Sequence, residues 1–405
     1  MITVREAKHL VQYHQPAPRI TQKSLVEISG CILAKDVAAD SPSPRFTNSA
    51  MDGFAIAFIE KATTFRIIGE SAAGKPLNIH LHMGEAAKIS TGAVLPPGTD
   101  TVLPVEDVVC EGDIVHLKKP ARQGQWVRKE GAEYARGDLV LRSGTLLRPA
   151  HIALAAQLGL TELPVYEAPV VALLATGSEI VSIGKGDVAL LEGQIFDANT
   201  PMLQAAVQDF GAKVLPPRRV EDTLESTLSA LHNVMQQADI ICTTGGVSVG
   251  DHDFVKQAAA ELGFTTIFWR VRQKPGKPLF FATRGSTLLF GLPGNPVSTL
   301  MCFIHYVRPI IASMLGRDTA WQTIQGRMSQ SLVNRGGRAE FVRVRLEKAT
   351  EHNNVVLDDN ILPVVVPLEK QESFMLTSLT EADGFVFLDI DEEIYAGAPI
   401  EVMLW

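Results

Sequence analysis

The spacing of apolar residues changes twice along this chain, which predicts three regions of different architecture. Residues 1–165 open and close with helical amphipathic stretches, and residues from about 41 to 145 form short alternating runs that Gly and Pro interrupt. Alternation of apolar and polar residues with a period of two is typical of half-buried β-strands. The first region is therefore predicted to carry a β-rich subdomain inserted between helical flanks.

Residues 166–316 follow another pattern, in which continuous apolar runs alternate with helical stretches. The run "PVVALLATG" at 169–177 predicts a strand that is buried on both faces. A helix follows further along, with Thr200 as its candidate cap and Pro201 in its first turn. Because this alternation has the spacing of βαβ units, we predict an α/β domain with a mostly parallel sheet and helices on both faces.

Residues 317–405 return to short strands, and turn residues separate these strands at regular intervals. A small C-terminal β-barrel is the predicted fold, and a β-sandwich is the alternative. The pattern therefore predicts three domains, at 1–165, 166–316 and 317–405, which suits a chain of 405 residues.

The net charge of −8 argues against a general nucleic-acid-binding protein, which needs a basic surface. It leaves room for a small anionic ligand, because such a ligand requires only a local positive pocket.

The apolar stretches argue for a cytoplasmic protein. The N-terminus lacks the apolar core of a signal peptide. The longest apolar stretch, 296–315, is interrupted by His305 and Arg308, so we predict a buried helix and not a membrane span. The four cysteines lie far apart and fit a reducing compartment better than a disulfide scaffold.

A glycine-rich loop at 243–254, "TTGGVSVGDHDF", lies between a predicted strand and a predicted helix. Gly245 and Gly246 allow positive φ, and successive backbone N–H groups near a helix N-terminus can bind phosphate. A tight turn that holds no ligand is the alternative reading. Asp251 and Asp253 then predict a hard divalent cation such as magnesium beside the phosphate, although Asp253 can also cap the helix.

Two further loops point to the same edge of the predicted sheet. In "RVRQKPGKP", 270–278, Lys274 and Lys277 lie in a turn that two prolines stiffen, which suits an oxyanion site or a solvated basic turn. In "FGLPGNPVSTL", 290–300, Asn295 is a candidate cap of the helix that follows. Ligands of parallel α/β sheets bind beyond the carboxyl ends of the strands, where these loops are predicted to lie.

Seven stretches in order along the chain together resemble the MoeA proteins, including the E domain of gephyrin, which are molybdopterin molybdenumtransferases. They are "NSAMDGFA" (48–55), "ISTGAVLP" (89–96), "LLATGSEI" (173–180), "FDANT" (196–200), "TTGGVSVGDHDF" (243–254), "KPGKP" (274–278) and "GLPGNPVS" (291–298). The resemblance implies insertion of molybdate into adenylated molybdopterin, with release of AMP in a magnesium-dependent step. It also implies a homodimer in which the β-rich part of one subunit faces the central domain of the other, and the molybdopterin adenylyltransferase as a candidate partner.

The resemblance also implies roles for individual residues. The implied catalytic residues are Asp52, Thr91, Glu179, Asp222 and Asp253, of which Glu179, Asp222 and Asp253 are implied to bind the metal or position water. The residues implied to bind the pterin phosphates or molybdate are Thr244, Gly245, Gly246, Ser248, Gly250, Lys274, Lys277, Pro293, Gly294, Asn295, Arg338 and Ser373.

The chain departs from the family pattern at two places. Glu133 stands where the family has the aspartate of Gly-Glu-Asp, and Glu372 and Phe374 replace the glycines around Ser373. A carboxylate beside a molybdate dianion is unfavourable unless it points away. Two alternatives stay open: a pyrophosphatase of small nucleotides, because its central fold is related, and a pterin-binding scaffold that has lost catalysis at the substituted C-terminal loop.

Overall fold

The chain folds into two units, which the computed structural model describes for residues 1–184, 189–247, 254–348, 350–351, 354–355 and 362–405. One unit is Gln22–Val165, and the other combines Met1–Thr21 with Tyr166–Trp405. The first helix of the chain, α1 (Val4–Tyr13), belongs to the second of these units.

The unit Gln22–Val165 is built mainly from short strands, as the alternating pattern predicts. Its elements, with the strands at its two ends, are β1 (Ile20–Ser24), β2 (Val37–Ala38), β3 (Asn48–Ser49), β4 (Gly53–Ile56), β5 (Thr64–Ser71), β6 (Glu85–Ile89), β7 (Thr101–Pro104), the 3₁₀ turn Val105–Asp107, β8 (Val108–Glu111), β9 (Ile114–Leu117), β10 (Val127–Arg128), β11 (Leu139–Leu141), α2 (Pro149–Gln157) and β12 (Glu162–Tyr166). Six strands form one sheet in the order β7-β4-β6-β5-β9-β8. Phe54, Phe65 and Val115 are buried in the core of this sheet. The predicted β-rich N-terminal subdomain is confirmed.

The other unit contains a seven-stranded central sheet with helices on both faces. Its elements are β13 (Val170–Thr176), β14 (Ile180–Val181), β15 (Ile195–Phe196), α3 (Asn199–Asp209), β16 (Lys213–Val214), β17 (Arg218–Val220), α4 (Leu224–Val234), β18 (Ile240–Thr244), α5 (Phe254–Glu261), β19 (Thr265–Trp269), β20 (Gln273–Lys274), β21 (Phe280–Arg284), β22 (Thr287–Leu292), α6 (Pro296–Cys302) and α7 (Arg308–Met314). The sheet order is β16-β13-β18-β22-β21-β19, and β17 also pairs with β13.

Burial on both faces explains the continuous apolar run of β13. Val171 and Leu173 belong to the core cluster that contains residues of α3, α6 and α7. Ala172 and Leu174 belong to the cluster that contains residues of α4 and α5. Because β13, β18 and β22 also pair in parallel, the parallel core of the sheet is confirmed, with helices covering each face.

One strand of the sheet, β21, runs antiparallel to both of its neighbours, which the alternating pattern does not reveal. β21 pairs antiparallel with β22, and β19 pairs antiparallel with β21. Only Gly285 and Ser286 connect β21 to β22, and Gly285 has a φ of +57°. A parallel connection needs a dozen residues or more, so this short turn forces a hairpin.

The apolar stretch predicted to be a buried helix is confirmed as one. It runs continuously over Pro296–Met314, and five residues in its middle, Phe303–Val307, form a π-helical turn between α6 and α7. By length and composition this helix could span a bilayer, but 78% of its apolar window is buried inside the protein. It is therefore a core helix of the central domain.

The C-terminal strands close into a β-barrel, as predicted. The elements are β23 (Thr323–Met328), β24 (Leu332–Val333), β25 (Ala339–Glu347), β26 (Thr350–Glu351), β27 (Asn354–Val355), β28 (Val364–Pro367), α8 (Thr377–Glu381), β29 (Gly384–Leu388), β30 (Glu393–Ile394) and β31 (Pro399–Leu404). The strands pair in the order β25-β28-β23-β31-β29, and β29 pairs again with β25. Because β20 pairs in parallel with β25, the basic turn at 274–278 begins beside a strand of the barrel.

A histidine lies in the core where the π-helical turn meets the barrel. His305 is 2% exposed, and its ring stacks on Phe341 with 4.0 Å between centroids. Neither ring nitrogen has a hydrogen-bond partner among the described residues. Burial lowers the pKa of His305 well below its ordinary value, and the positive charges of Lys8 and Arg308 lower it further.

We predict that the free energy of unfolding falls below about pH 6.5 because of this histidine. The unfolded chain binds a proton on His305 there, whereas the folded protein does not, and the loss is roughly 1.4 kcal/mol per pH unit. In urea denaturation at pH 7.5 and 5.5, His305→Leu should lose less stability on acidification than the parent protein does.

A matched control is His232→Leu, because His232 is exposed. This variant should keep the parental pH dependence. An unchanged pH dependence in His305→Leu would contradict the assignment.

Candidate functional site

Three neighbouring parallel strands of the central sheet end at the same level. In the register of β13, β18 and β22, Ala175 lies opposite Thr244, and Thr244 lies opposite Leu292. The loops that follow these strands therefore open at one edge of the sheet, as the sequence predicts.

A cavity of about 770 Å³ opens at this edge. It is lined by ten of the predicted site residues: Glu179, Thr244, Gly245, Lys274, Lys277, Pro293, Gly294, Asn295, Arg338 and Ser373. Gly246 and Asp222 lie on the adjoining loops, outside the lining. Ser248, Gly250, Asp251 and Asp253 fall outside the described residues.

The first two glycines after β18 are required by close packing. Gly245 and Gly246 have φ values of +84° and +65°. A Cβ on Gly245 would lie 2.9 Å from the carbonyl oxygen of Thr176, and a Cβ on Gly246 would lie 2.9 Å from Cγ2 of Val255. The N–H of Gly245 donates to the carbonyl of Leu292 at 3.0 Å, so this glycine shapes the turn and has no N–H left for a ligand.

The loop after β13 carries Glu179 and is held by Asp222. A carboxylate oxygen of Asp222 accepts a hydrogen bond from the N–H of Ser178 at 2.8 Å. Glu179 is exposed in the cavity, and no side-chain hydrogen bond to a described residue engages its carboxylate. Among the described residues no group of three His, Cys, Asp or Glu side chains forms a metal site, so the metal set that includes Asp253 stays a prediction.

A buried amide braces the basic turn. Gln273 is 1% exposed, and its Nε2 donates to the carbonyl of Gly276 at 3.0 Å. Gly276 has a φ of +91°, and a Cβ there would lie 2.5 Å from Sγ of Cys302. The turn therefore holds Lys274 and Lys277 on a backbone that is fixed by its packing against Gln273 and Cys302.

The cations of the cavity differ in their partners. Nζ of Lys274 lies 3.6 Å from Oε1 of Glu340, which faces it across the pairing of β20 with β25. Within the described part of the chain, no ion pair or hydrogen bond engages the side-chain cations of Lys277 and Arg338. These two cations are therefore available to an anionic ligand.

A loop of the barrel is tied to the loop after β22. Nδ2 of Asn295 donates to Oγ of Ser373 at 2.8 Å, and the N–H of Val297 donates to the carbonyl of Ser373 at 3.2 Å. Asn295 stands at the N-cap position of α6, but its side chain makes no capping bond. The prediction that this side chain caps the helix is therefore wrong, and its amide orients Ser373 instead.

Two cavity residues were missed by the sequence reasoning, Asp197 and Asn199. Nδ2 of Asn199 donates to the carbonyl of Gly294 at 2.7 Å, and Asp197 accepts from the N–H of Thr200 at 3.0 Å. Helix α3 begins at Asn199, so Thr200 is not its cap, contrary to the prediction. Both residues belong to the stretch "FDANT" just before a predicted helix. This polar pair could have marked them as site residues, but the sequence analysis assigned them no role.

The two departures in the barrel loop both line the cavity. Phe374 is 65% exposed, and Glu372 is exposed as well. A buried arginine, Arg343, donates to the carbonyl of Glu372 at 3.4 Å, and burial lowers the pKa of Arg343 to about 10. The backbone of Glu372 is thus anchored, and its carboxylate adds a negative charge to the cavity.

Two predicted catalytic residues belong to the other unit, Gln22–Val165. A carboxylate oxygen of Asp52 accepts from the N–H of Thr91 at 2.7 Å, so this unit brings the two residues together on adjoining loops. Glu133, the other departure, accepts from Oγ of Ser43 at 2.6 Å and lines a second cavity of about 600 Å³.

Comparison with known proteins matches the chain over most of its length. Family models match residues 2–159 (MoeA N-terminal region, domains I and II), 172–313 (probable molybdopterin binding domain) and 325–405 (MoeA C-terminal region, domain IV). A molybdopterin molybdenumtransferase of Synechococcus elongatus is 33% identical over 395 residues, which are 95% of this chain and 94% of the relative. Molybdopterin molybdenumtransferase 2 of Mycobacterium tuberculosis is 32% identical over 418 aligned positions, covering 99% of both chains.

A solved structure agrees with these matches. The crystal structure of a molybdopterin biosynthesis MoeA protein from Pyrococcus horikoshii superposes with a TM-score of 0.82 at 28% identity. The alignment covers 100% of this chain and 99% of that one.

We predict that Gly276→Ala destabilises the protein more than Gly285→Ala does. Both glycines have positive φ, so both variants share a backbone strain of roughly 1 kcal/mol. The Cβ at Gly276 meets a buried sulfur and a buried amide, which adds about 1–3 kcal/mol, whereas no atom of the described residues lies within 4 Å of a Cβ at Gly285. Urea denaturation of the two variants measures the difference, and equal losses would show that the turn is not braced as described.

Proposed function

Since the chain belongs to the MoeA family of molybdopterin molybdenumtransferases, we propose that it inserts molybdate into adenylated molybdopterin and releases AMP in a magnesium-dependent step. The observation that supports this most is the cavity at the edge of the sheet, where the free cations of Lys277 and Arg338 accompany carboxylates from other loops. An oxyanion and a metal-bound phosphate need charges of both signs within one site.

Molybdate is proposed to bind on the side of the basic turn and the barrel. Arg338 can offer two parallel N–H donors to a tetrahedral oxyanion, and Lys277 contributes a point charge. The hydroxyl of Ser373 can donate a further hydrogen bond, because Asn295 already holds its oxygen from the other side. Lys274 is partly neutralised by Glu340 and so contributes less net charge.

The pterin phosphates are proposed to bind at the loops after β18 and β22. The proposed contacts come from Thr244, Gly245, Gly246, Ser248, Gly250, Pro293, Gly294 and Asn295. Gly245 would contribute only the close approach of its Cα, because the carbonyl of Leu292 already accepts its N–H. For the described residues among them, the support is their position at the carboxyl edge of the sheet, where ligands of such sheets bind.

Magnesium is proposed to bind to Glu179, Asp222 and Asp253. The donor set fits a hard cation, since Glu179 carries an unengaged carboxylate and Asp222 uses one carboxylate oxygen for Ser178. When bound, the ion would neutralise the charge that develops on the phosphoanhydride as AMP leaves. Asp52 and Thr91 are proposed to act in the same reaction, in a homodimer.

The cellular setting is also a proposal. We place the protein in the cytoplasm, without nucleic acid or membrane as a partner, because its apolar helix is buried and its net charge is −8. The enzyme that adenylates molybdopterin is the proposed protein partner, since it supplies the substrate.

A pterin-binding scaffold without catalysis is the second candidate function. The observation that favours it is the carboxylate of Glu372 in the cavity that is proposed to hold molybdate. The two candidates differ in whether AMP is released, so kinetics can decide between them.

We predict that the purified protein releases AMP from adenylated molybdopterin when magnesium and molybdate are present. Lys277→Ala and Arg338→Ala should each raise the apparent KM for molybdate at least tenfold, because each removes a cation from the oxyanion site. Asp52→Ala and Asp253→Ala should sharply lower the rate of AMP release. The measurement is AMP by chromatography, together with activation of a molybdoenzyme that lacks its cofactor.

The matched control for Arg338→Ala is Arg335→Ala, because the side chain of Arg335 is 81% exposed and lies outside the cavity lining. It should leave the KM unchanged. Binding of the pterin without any AMP release would support the scaffold instead.

We predict that Glu372→Gln lowers the KM for molybdate severalfold. A carboxylate about 4 Å from a unit charge costs roughly 1 kcal/mol in a water-like medium, which is about a fivefold change in affinity. Glu369→Gln serves as the control, because Glu369 is exposed and does not line the cavity. A KM that stays at the parental value in Glu372→Gln would mean that this carboxylate points away from the oxyanion.

A further inference from the structure

A small cavity lies beside the N-terminal helix, apart from the site described above. It has a volume of about 190 Å³, and residues of α1, of the π-helical turn and of the segment before β23 line it. Its polar lining residues include Lys8, Gln12, Gln15, His305 and Thr319, and among the described residues no Asp or Glu lines it. A cavity rich in donors and without a carboxylate is suited to an anion.

A buried histidine of the lining lacks hydrogen-bond partners among the described residues. Both ring nitrogens of His305 are buried and unpartnered among the described residues, although leaving a buried polar group unpaired is costly. The stacking of this ring on Phe341 and its edge contact with Phe385 at 4.9 Å leave those sides apolar. The neighbouring hydroxyl of Tyr306 already donates to Gln273. A hydrogen-bond partner for the imidazole can therefore be a molecule bound in the cavity.

His305 also lies in the middle of the π-helical turn Phe303–Val307. Such turns are rare and occur frequently at functional sites, because the extra residue redirects a side chain.

The charges around the cavity are positive and poorly compensated. Lys8 keeps contact with solvent, yet the protein packed around it lowers its pKa by desolvation. Arg308 stacks over Trp321, 4.4 Å from the ring centroid, and burial lowers its pKa. Its Nη1 is buried without a partner among the described residues. Asp318 is the carboxylate that acts on Arg308, and it is occupied by the N–H of Ala320.

We propose that this cavity binds a small oxyanion of the phosphate or carboxylate class, which pairs with Lys8 and receives hydrogen bonds from His305 and from the amides of Gln12 and Gln15. The volume supports this size class, since a water molecule takes about 30 Å³ and the cavity is several times larger. A dinucleotide is too large for it. The site does not depend on the proposed function, because none of its residues lines the cavity at the sheet edge.

The test measures the melting temperature of the full chain against the concentration of inorganic phosphate, with sodium chloride at equal ionic strength as the reference. A bound anion should raise the melting temperature by about 2 °C at ten times its Kd. An arm with sodium acetate tests the carboxylate class. All arms are run in the Lys277→Ala/Arg338→Ala background, so that binding at the other anion site does not contribute.

Variants assign the effect to this cavity. Lys8→Met should abolish the shift, Lys8→Arg should retain it, and Lys213→Met, which changes an exposed lysine elsewhere, should leave it unchanged. Quenching of tryptophan fluorescence at 25 °C is a second readout, because Trp321 lines the cavity, and it reports binding even if a variant melts early. His305→Gln, which keeps a donor, should bind more tightly than His305→Leu.

Three results would overturn the proposal. They are the absence of any shift with both phosphate and acetate, a shift that chloride reproduces, and a shift that survives in Lys8→Met. The first would mean that the cavity holds water alone.

Discussion

The site depends on one constraint, the parallel register of β13, β18 and β22. Residues along β13 alternate between two buried clusters, so a slip of one residue would exchange the side chains of both cores. That packing fixes the register, and the register places Thr244 level with Leu292 at the carboxyl edge. The loops after these strands meet because the strands cannot shift, which makes the position of the cavity a consequence of core packing.

The sequence allowed the elements and the position of the cavity to be predicted, because both follow from local periodicity. Apolar runs predicted the buried strands and the edge at which ligands bind, whereas the resemblance to the MoeA family assigned the ten site residues that line the cavity. The side-chain links across the cavity could not be predicted. Asn295 contacts Ser373, and Asn199 contacts the carbonyl of Gly294, over long distances in the chain that leave no periodic signal. The hairpin of β21 and β22 was missed for a different reason. Both strands are apolar, as buried parallel strands also are, so the apolar pattern does not show that only two residues separate them.

The basic turn shows how the barrel contributes to a site on the central sheet. The backbone of the turn rests on Gln273 and Cys302, which are both buried, and its first residues pair with β25 of the barrel. That pairing places Glu340 beside Lys274 and carries Arg338 to the same edge. The barrel therefore both supplies a cation and neutralises one, so it sets the balance of charge that an anion meets.

This balance explains how an acidic chain can bind anions. The lining contains the cations of Lys274, Lys277 and Arg338 and the carboxylates of Glu179, Asp197 and Glu372, so the formal charges of these six residues cancel. Because Coulomb energy falls with distance, a ligand responds to the nearest groups and not to the net charge of −8. An anion alone would gain from Lys277 and Arg338 but would be repelled by the carboxylates. An oxyanion accompanied by a divalent cation would satisfy both sets, and for that reason the cavity favours a substrate that carries phosphate together with a metal over a simple anion.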